Sequence, residues 1–139
     1  MIRRKYLLFF VMSFTLLLVG CDNDLGHQSP NDEWIAETLV SEVDVERSGV
    51  DAWFYSEAIS DQIFSRMWLK SWKEDCPLKR SELRYLKMLH SNADGNPQRG
   101  EMVVNAAVAD KVIDVFRRLY QADYRIERMV LIDNYDADD

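Results

Sequence analysis

The chain has 139 residues, with 24 Asp or Glu against 17 Lys or Arg and a formal net charge of −7. That balance argues against nucleic acid as a partner, because phosphate binding draws its affinity from an excess of Lys and Arg. Two cysteines and two histidines are too few for a disulfide scaffold or a histidine-rich metal centre.

The first twenty residues read as an export signal. Arg3, Arg4 and Lys5 form a basic start, and 6–19 follow as an apolar run interrupted only by Ser13 and Thr15. The run is too short to span a bilayer comfortably, and the strong apolar segment behind Arg3-Arg4 suits general secretion better than twin-arginine export. It closes on Leu18-Val19-Gly20-Cys21, which resembles the lipoprotein cleavage box, so residues 1–20 are expected to be removed and Cys21 to carry the lipid. A thiolate is the competent nucleophile for that transfer, and several acyl chains together give the stable anchoring that one cannot. Loss of the three basic residues takes the net charge to about −10. Lipidation of Cys21 leaves Cys76 as the one remaining thiol, with no internal disulfide to form. The expected location is outside the cytoplasm, tethered to a membrane through the lipid.

Residues 21–51 are expected to serve as lipidated tether and linker. Residues 22–32 are polar and turn-prone, with Gly26, Pro30 and two Asn, and 33–51 have helical spacing through Trp34, Leu39 and Val43 until Ser48-Gly49 breaks it. From residue 52 the pattern becomes that of a folded domain. Trp53, Phe54 and Tyr55 predict a short strand, and Ser60 or Asp61 caps a helix carrying Ile63, Phe64 and Met67. Ser81 opens a local turn through Leu83.

A strand is then predicted over Leu83 to Ser91, with Tyr85, Leu86, Met88 and Leu89 apolar. The dense turn signal of 92–97 and the apolar return at Met102, Val103 and Val104 make this a hairpin with a long loop. Asn105 stands as a cap before the clearest periodicity in the chain, which gathers Val108, Val112, Ile113, Phe116, Leu119 and Tyr120 on one face. Asp123 and Tyr124 end that helix, and 126–133 supply Met129, Val130, Leu131 and Ile132 as a buried strand. Strand, helix, hairpin, helix and strand in this order imply an α+β fold.

Several stretches together resemble the zinc D-alanyl-D-alanine carboxypeptidases and L-alanyl-D-glutamate endopeptidases that cut peptidoglycan stem peptides. They are Ser71-Trp72-Lys73-Glu74-Asp75-Cys76-Pro77, Leu83-Arg84-Tyr85-Leu86 and Gly100-Glu101-Met102-Val103-Val104-Asn105. Ala109, Val115-Phe116, Leu119-Tyr120 and Ile126-Glu127 continue them, and they close with 131–139. The resemblance implies that 52–139 is the front portion of a small antiparallel-sheet zinc peptidase domain, the scaffold on the substrate side. In that family an Asn-rich stretch with an arginine, then a His and Asp in a Ser-x-His-type motif and a final His, follow the acidic run. No such segment precedes Asp139, so the chain is expected to be truncated before the metal site and inactive, with zinc belonging to complete members only. The expected partner is the peptidoglycan stem peptide; the rival expectation is a non-catalytic lipoprotein that binds peptidoglycan or an envelope protein.

No other constellation competes with that reading. Amide hydrolysis at zinc needs three protein ligands, an open water position and a general base, and a site joining His27, His90 and Cys76 would have to unite a linker residue with two scaffold residues. Asp133, Asp136, Asp138 and Asp139 lack the Gly and terminal Glu of a hand-type calcium loop. Cys76 has no neighbouring His to activate it, and Ser71, Ser81 and Asp94 lack hydrolase spacing. Trp53, Trp68 and Trp72 are the candidate aromatic faces for a sugar or peptide groove. No catalytic or metal-ligating residue is therefore expected on this chain.

Overall fold

The computed structural model describes residues 26–135; the expected signal 1–20, the expected lipidation site Cys21, and Asp136, Asp138 and Asp139 lie outside them. Its centre is a hairpin of two nine-residue strands, β2 (Leu83–Ser91) and β3 (Pro97–Asn105), in register from Leu83 opposite Asn105 to Ser91 opposite Pro97. Asn92 shapes the connection by accepting the Asp94 and Asn96 amides at 3.0 Å on its side-chain oxygen. Gly95 sits there at φ +90°, under the Arg125 guanidinium, where a Cβ would lie 1.6 Å from a guanidinium nitrogen. A short β1 (Tyr55–Ala58) pairs with the other edge of β2, giving an antiparallel sheet in the order β1-β2-β3.

β2 is buried almost throughout because both faces of the sheet are covered. Alternation sends Leu86 and Met88 into a cluster with Ala109 and Ile113 of α3 (Ala109–Gln121), and Leu83 and Tyr85 into a second cluster with Ile63 and Met67 of α2 (Asp61–Met67). The fold is α+β with a small antiparallel sheet, as the element order implied. Ser60 caps α2, accepting the Ile63 amide at 3.2 Å.

Four local expectations are corrected. Trp53 ends a 3₁₀ turn (Val50–Trp53), and the strand starts only at Tyr55. Asn105 does act as a cap, accepting the Ala107 amide at 2.8 Å, but it caps a 3₁₀ turn (Ala106–Val108) ahead of α3, which leaves Val108 exposed. Residues 126–131 form no strand. They run beside β3 with a single ladder bond, Glu101 N to Met129 O at 3.0 Å, because carboxylates take the other amides: Glu37 accepts from Met129 N at 3.4 Å and Glu101 from Leu131 N at 3.3 Å.

The fourth concerns the linker, whose described part, 26–51, is packed into the domain. Val40 and Val45 belong to the same buried cluster as Trp53, Leu86 and Met88. Residues 37–40 hydrogen-bond along β3, through Glu37 N to Arg99 O, Arg99 N to Thr38 O and Val40 N to Pro97 O. The Arg99 guanidinium lies 5.1 Å from the Trp34 ring and 5.6 Å from that of Trp53, and donates to Glu33 O at 2.7 Å and Ser29 O at 3.2 Å. A buried cation thereby ties the supposed tether to the sheet. Helical spacing over 33–51 survives only as α1 (Glu42–Ser48), capped by Ser41 and closed by Gly49 at φ +78°.

Asp44 secures the same segment from α1. It accepts from Gln28 N at 3.0 Å, from His27 Nδ1 at 2.7 Å, from the Ser41 hydroxyl at 2.8 Å and from Arg47 at 2.8 Å. Those bonds, that from the Gln28 amide foremost, hold its carboxyl down at about 2, against an ordinary value of 3.8. A depressed carboxyl stabilises the fold above its ordinary value and loses that contribution as pH falls toward the depressed one. Asp44→Asn is therefore expected to be less stable than the native chain at neutral pH. The gap should close between about pH 4 and pH 2 in urea titrations; a constant gap over that range would refute this role.

Candidate functional site

A groove of about 500 Å³ opens between β3, the segment 128–133 and the loop after α2. The chain makes its walls locally. α2 ends at Met67, and the backbone reverses through Leu69 at φ +61°, with Leu69 N bonded to Trp72 O at 2.8 Å and Trp72 N to Met67 O at 3.0 Å. This reversal stacks Trp68 on Trp72, ring centres 5.2 Å apart at 26°, with Phe64 5.1 Å from Trp72 and 5.7 Å from Trp68. Trp72 then lines the groove with Cys76 and Leu78, opposite Val103 and Leu131.

The polar centre of the groove is Glu101, its side chain 2% exposed. Arg66 grips it with two bonds, at 2.6 and 3.2 Å, the Tyr85 hydroxyl donates to it, and the Leu131 amide does so at 3.3 Å. Burial opposes ionisation, but the Arg66 and Tyr85 bonds prevail and hold the carboxyl below its usual range. Burial together with the bond to Glu101 pushes the Tyr85 phenol up, so it stays a neutral donor. Arg66 also reaches Asn134 at 2.9 Å, while the Asp133 carboxylate accepts from Ser71 N at 3.1 Å and its carbonyl from Lys70 Nζ at 2.9 Å. The groove thus has a fixed far wall, with its carboxylates already engaged. Its residues can bind and orient a ligand, and its one thiol, Cys76, has no histidine beside it in the groove lining.

The residues singled out from the sequence are dispersed. His27 is exposed and held through Nδ1 by Asp44, far along the chain from His90. His90 is buried, with Nδ1 2.9 Å from Ile126 O and Nε2 without a partner among the described residues; burial pushes its pKa down. Cys76 is half-buried and unpaired with another cysteine, on the groove wall. Among the described residues no three His, Cys, Asp or Glu side chains come together as a cation site.

Trp68 and Trp72 do meet, but Trp53 is fully buried in the other cluster. Ser71 and Asp133 meet through a backbone amide, Ser81 lies in the 3₁₀ turn Arg80–Glu82 and Asp94 in the hairpin loop. Reasoning from the sequence missed the union of Arg66, Tyr85 and Glu101. Its one signal is a Glu at an inward position of an apolar strand, which demands a buried partner.

With this geometry the chain defines an α+β domain with an engaged polar groove and no assembled catalytic centre among the described residues. No protein-family model matches the chain, and neither a curated protein nor a solved structure does. No described helix is long and apolar enough to cross a membrane.

Proposed function

We propose that this chain is an exported lipoprotein, anchored through Cys21, whose domain is the substrate-side scaffold of a stem-peptide peptidase of the zinc D-alanyl-D-alanine carboxypeptidase kind. It binds peptidoglycan stem peptide and does not hydrolyse it. The reading is carried by the groove beside β3, where an apolar wall of Trp72, Leu78 and Val103 faces the polar edge set by Arg128 and Asp133. Of its lining, Ser71, Trp72, Cys76, Glu101, Val103 and Asp133 belong to the stretches on which the family resemblance rests, and Leu78 and Arg128 do not. Hydrolysis by the zinc route needs three ligands and an open water position, which His27 and His90 in their separate settings do not supply.

The test is titration of the full chain, in detergent, with a disaccharide-pentapeptide muropeptide, followed by calorimetry and by assay of released D-alanine with and without added zinc. Saturable binding without release is expected. Absence of binding removes the stem-peptide reading, and D-alanine release that follows the purified chain removes the claim that it is non-hydrolytic. Labelled palmitate should enter the chain in cells and should not enter Cys21→Ser; equal labelling of both would refute the anchor.

A further inference from the structure

We infer that the outer edge of β3 at Val103 and Asn105 is a strand-addition site that takes an extended L-polypeptide segment of a partner protein. The ladder of β3 supplies the argument. In an antiparallel pair, alternate residues turn both N–H and C=O away from the partner strand. Arg99 is such a residue, since its N–H donates to Thr38 O and its carbonyl accepts from Glu37 N, both on the side away from β2. Pro97 O and Glu101 N face the same way and are taken by Val40 N and Met129 O. By the same alternation Val103 N–H and C=O and the Asn105 N–H point outward, and no described backbone group meets them.

Among the described residues the fold leaves that stretch open. The segment that runs beside β3 at Met129 does not continue along it, because the Glu101 carboxylate takes the Leu131 amide, the Asn134 amide takes the Leu131 carbonyl, and Arg66, Lys70 and Ser71 hold 133–134 aside as the far wall. Main chain already occupies one half of this edge, with Leu39 bridged antiparallel to Gln98 and Glu37 in a turn at φ +70°. Its other half ends in unmatched donors and acceptors beside an apolar wall. The complement to such an edge is another extended main chain, its alternate side chains small and apolar enough to lie against Trp72 and Leu78. The occupant is thus recognised by its backbone; it shares the Trp72 and Leu78 wall with the stem-peptide reading, and the two are told apart by their separate probes.

The probe is an acetylated, amidated all-L pentapeptide of Val, Ala and Thr, compared with the same peptide N-methylated at alternate central amides. Amide hydrogen exchange in the full chain should show Val103 and Asn105 exchanging fast when free and slowed about tenfold or more by the unmethylated peptide, with Arg99 and Glu101 protected throughout. Val103→Pro is compatible with the ladder, because the lost N–H faces away from β2, and it should weaken binding about tenfold with little change in melting temperature. If that variant does not fold, the two peptides on the native chain decide the matter. Equal binding of both peptides, no binding of the unmethylated one, or no protection at Val103 overturns the inference. Muropeptide binding with no protection of Val103 by the unmethylated peptide would overturn it while sparing the stem-peptide reading. Peptide protection without muropeptide binding would do the reverse.

Discussion

Glu101→Ala is expected to destabilise the domain by about 3–5 kcal/mol, because removing one member of a buried, hydrogen-bonded charge group strands the others. The Tyr85 hydroxyl and the Leu131 amide lose their acceptor, and the Arg66 guanidinium loses both bonds of its grip. Arg66 is 33% exposed and can recover some water, so the lower part of that range applies. On a domain of this size, that loss lowers the melting temperature by more than about 10 °C. Replacing Glu101 and Arg66 together by Met should recover much of the loss, since an apolar pair leaves no charge behind. Urea denaturation of the two variants and the native chain measures both claims. A loss below about 1 kcal/mol for Glu101→Ala would mean that the carboxylate does not organise this site.

Trp53→Ala is expected to cost about 3–5 kcal/mol, the range for deleting a fully buried aromatic side chain. Trp53 is 0% exposed, lies 6.3 Å from the Trp34 ring and backs the Arg99 guanidinium. The void would fall where the segment 26–51 meets the sheet, so Trp34 should also become more exposed, seen as a red shift in its fluorescence. Trp68→Ala, at an exposed position, should change stability by less than about 1 kcal/mol. Equal losses at the two positions would show that 26–51 is not integral to the core.

The hairpin and α3 were legible because each rests on a short-range pattern. Leu83 to Ser91 has the apolar density of a doubly covered strand, 92–97 has the residues that turns require, and Asn105 precedes a clear helical period. The supposed strand at 126–133 shows where such patterns fail. Its apolar run fits a strand, yet strand formation needs neighbouring backbone groups to be available, and the carboxylates of Glu37 and Glu101 had taken them. The supposed linker failed in the opposite sense. Its polar composition fits a tether, but its carbonyls at Ser29 and Glu33 are what the buried Arg99 needs, a demand set 66 or more residues away.

The sequence by itself determined the α+β class, the hairpin, the main helix and the acidic charge, since these follow from local periodicity and composition. The tertiary structure alone decided that 26–51 is part of the domain, that Arg66, Tyr85 and Glu101 meet, and that, among the described residues, main chain covers the β3 edge at Arg99 and not at Val103. Those are matters of which buried polar group finds which partner, and burying a charge or an amide without one is too costly for the chain to leave the choice to local preference.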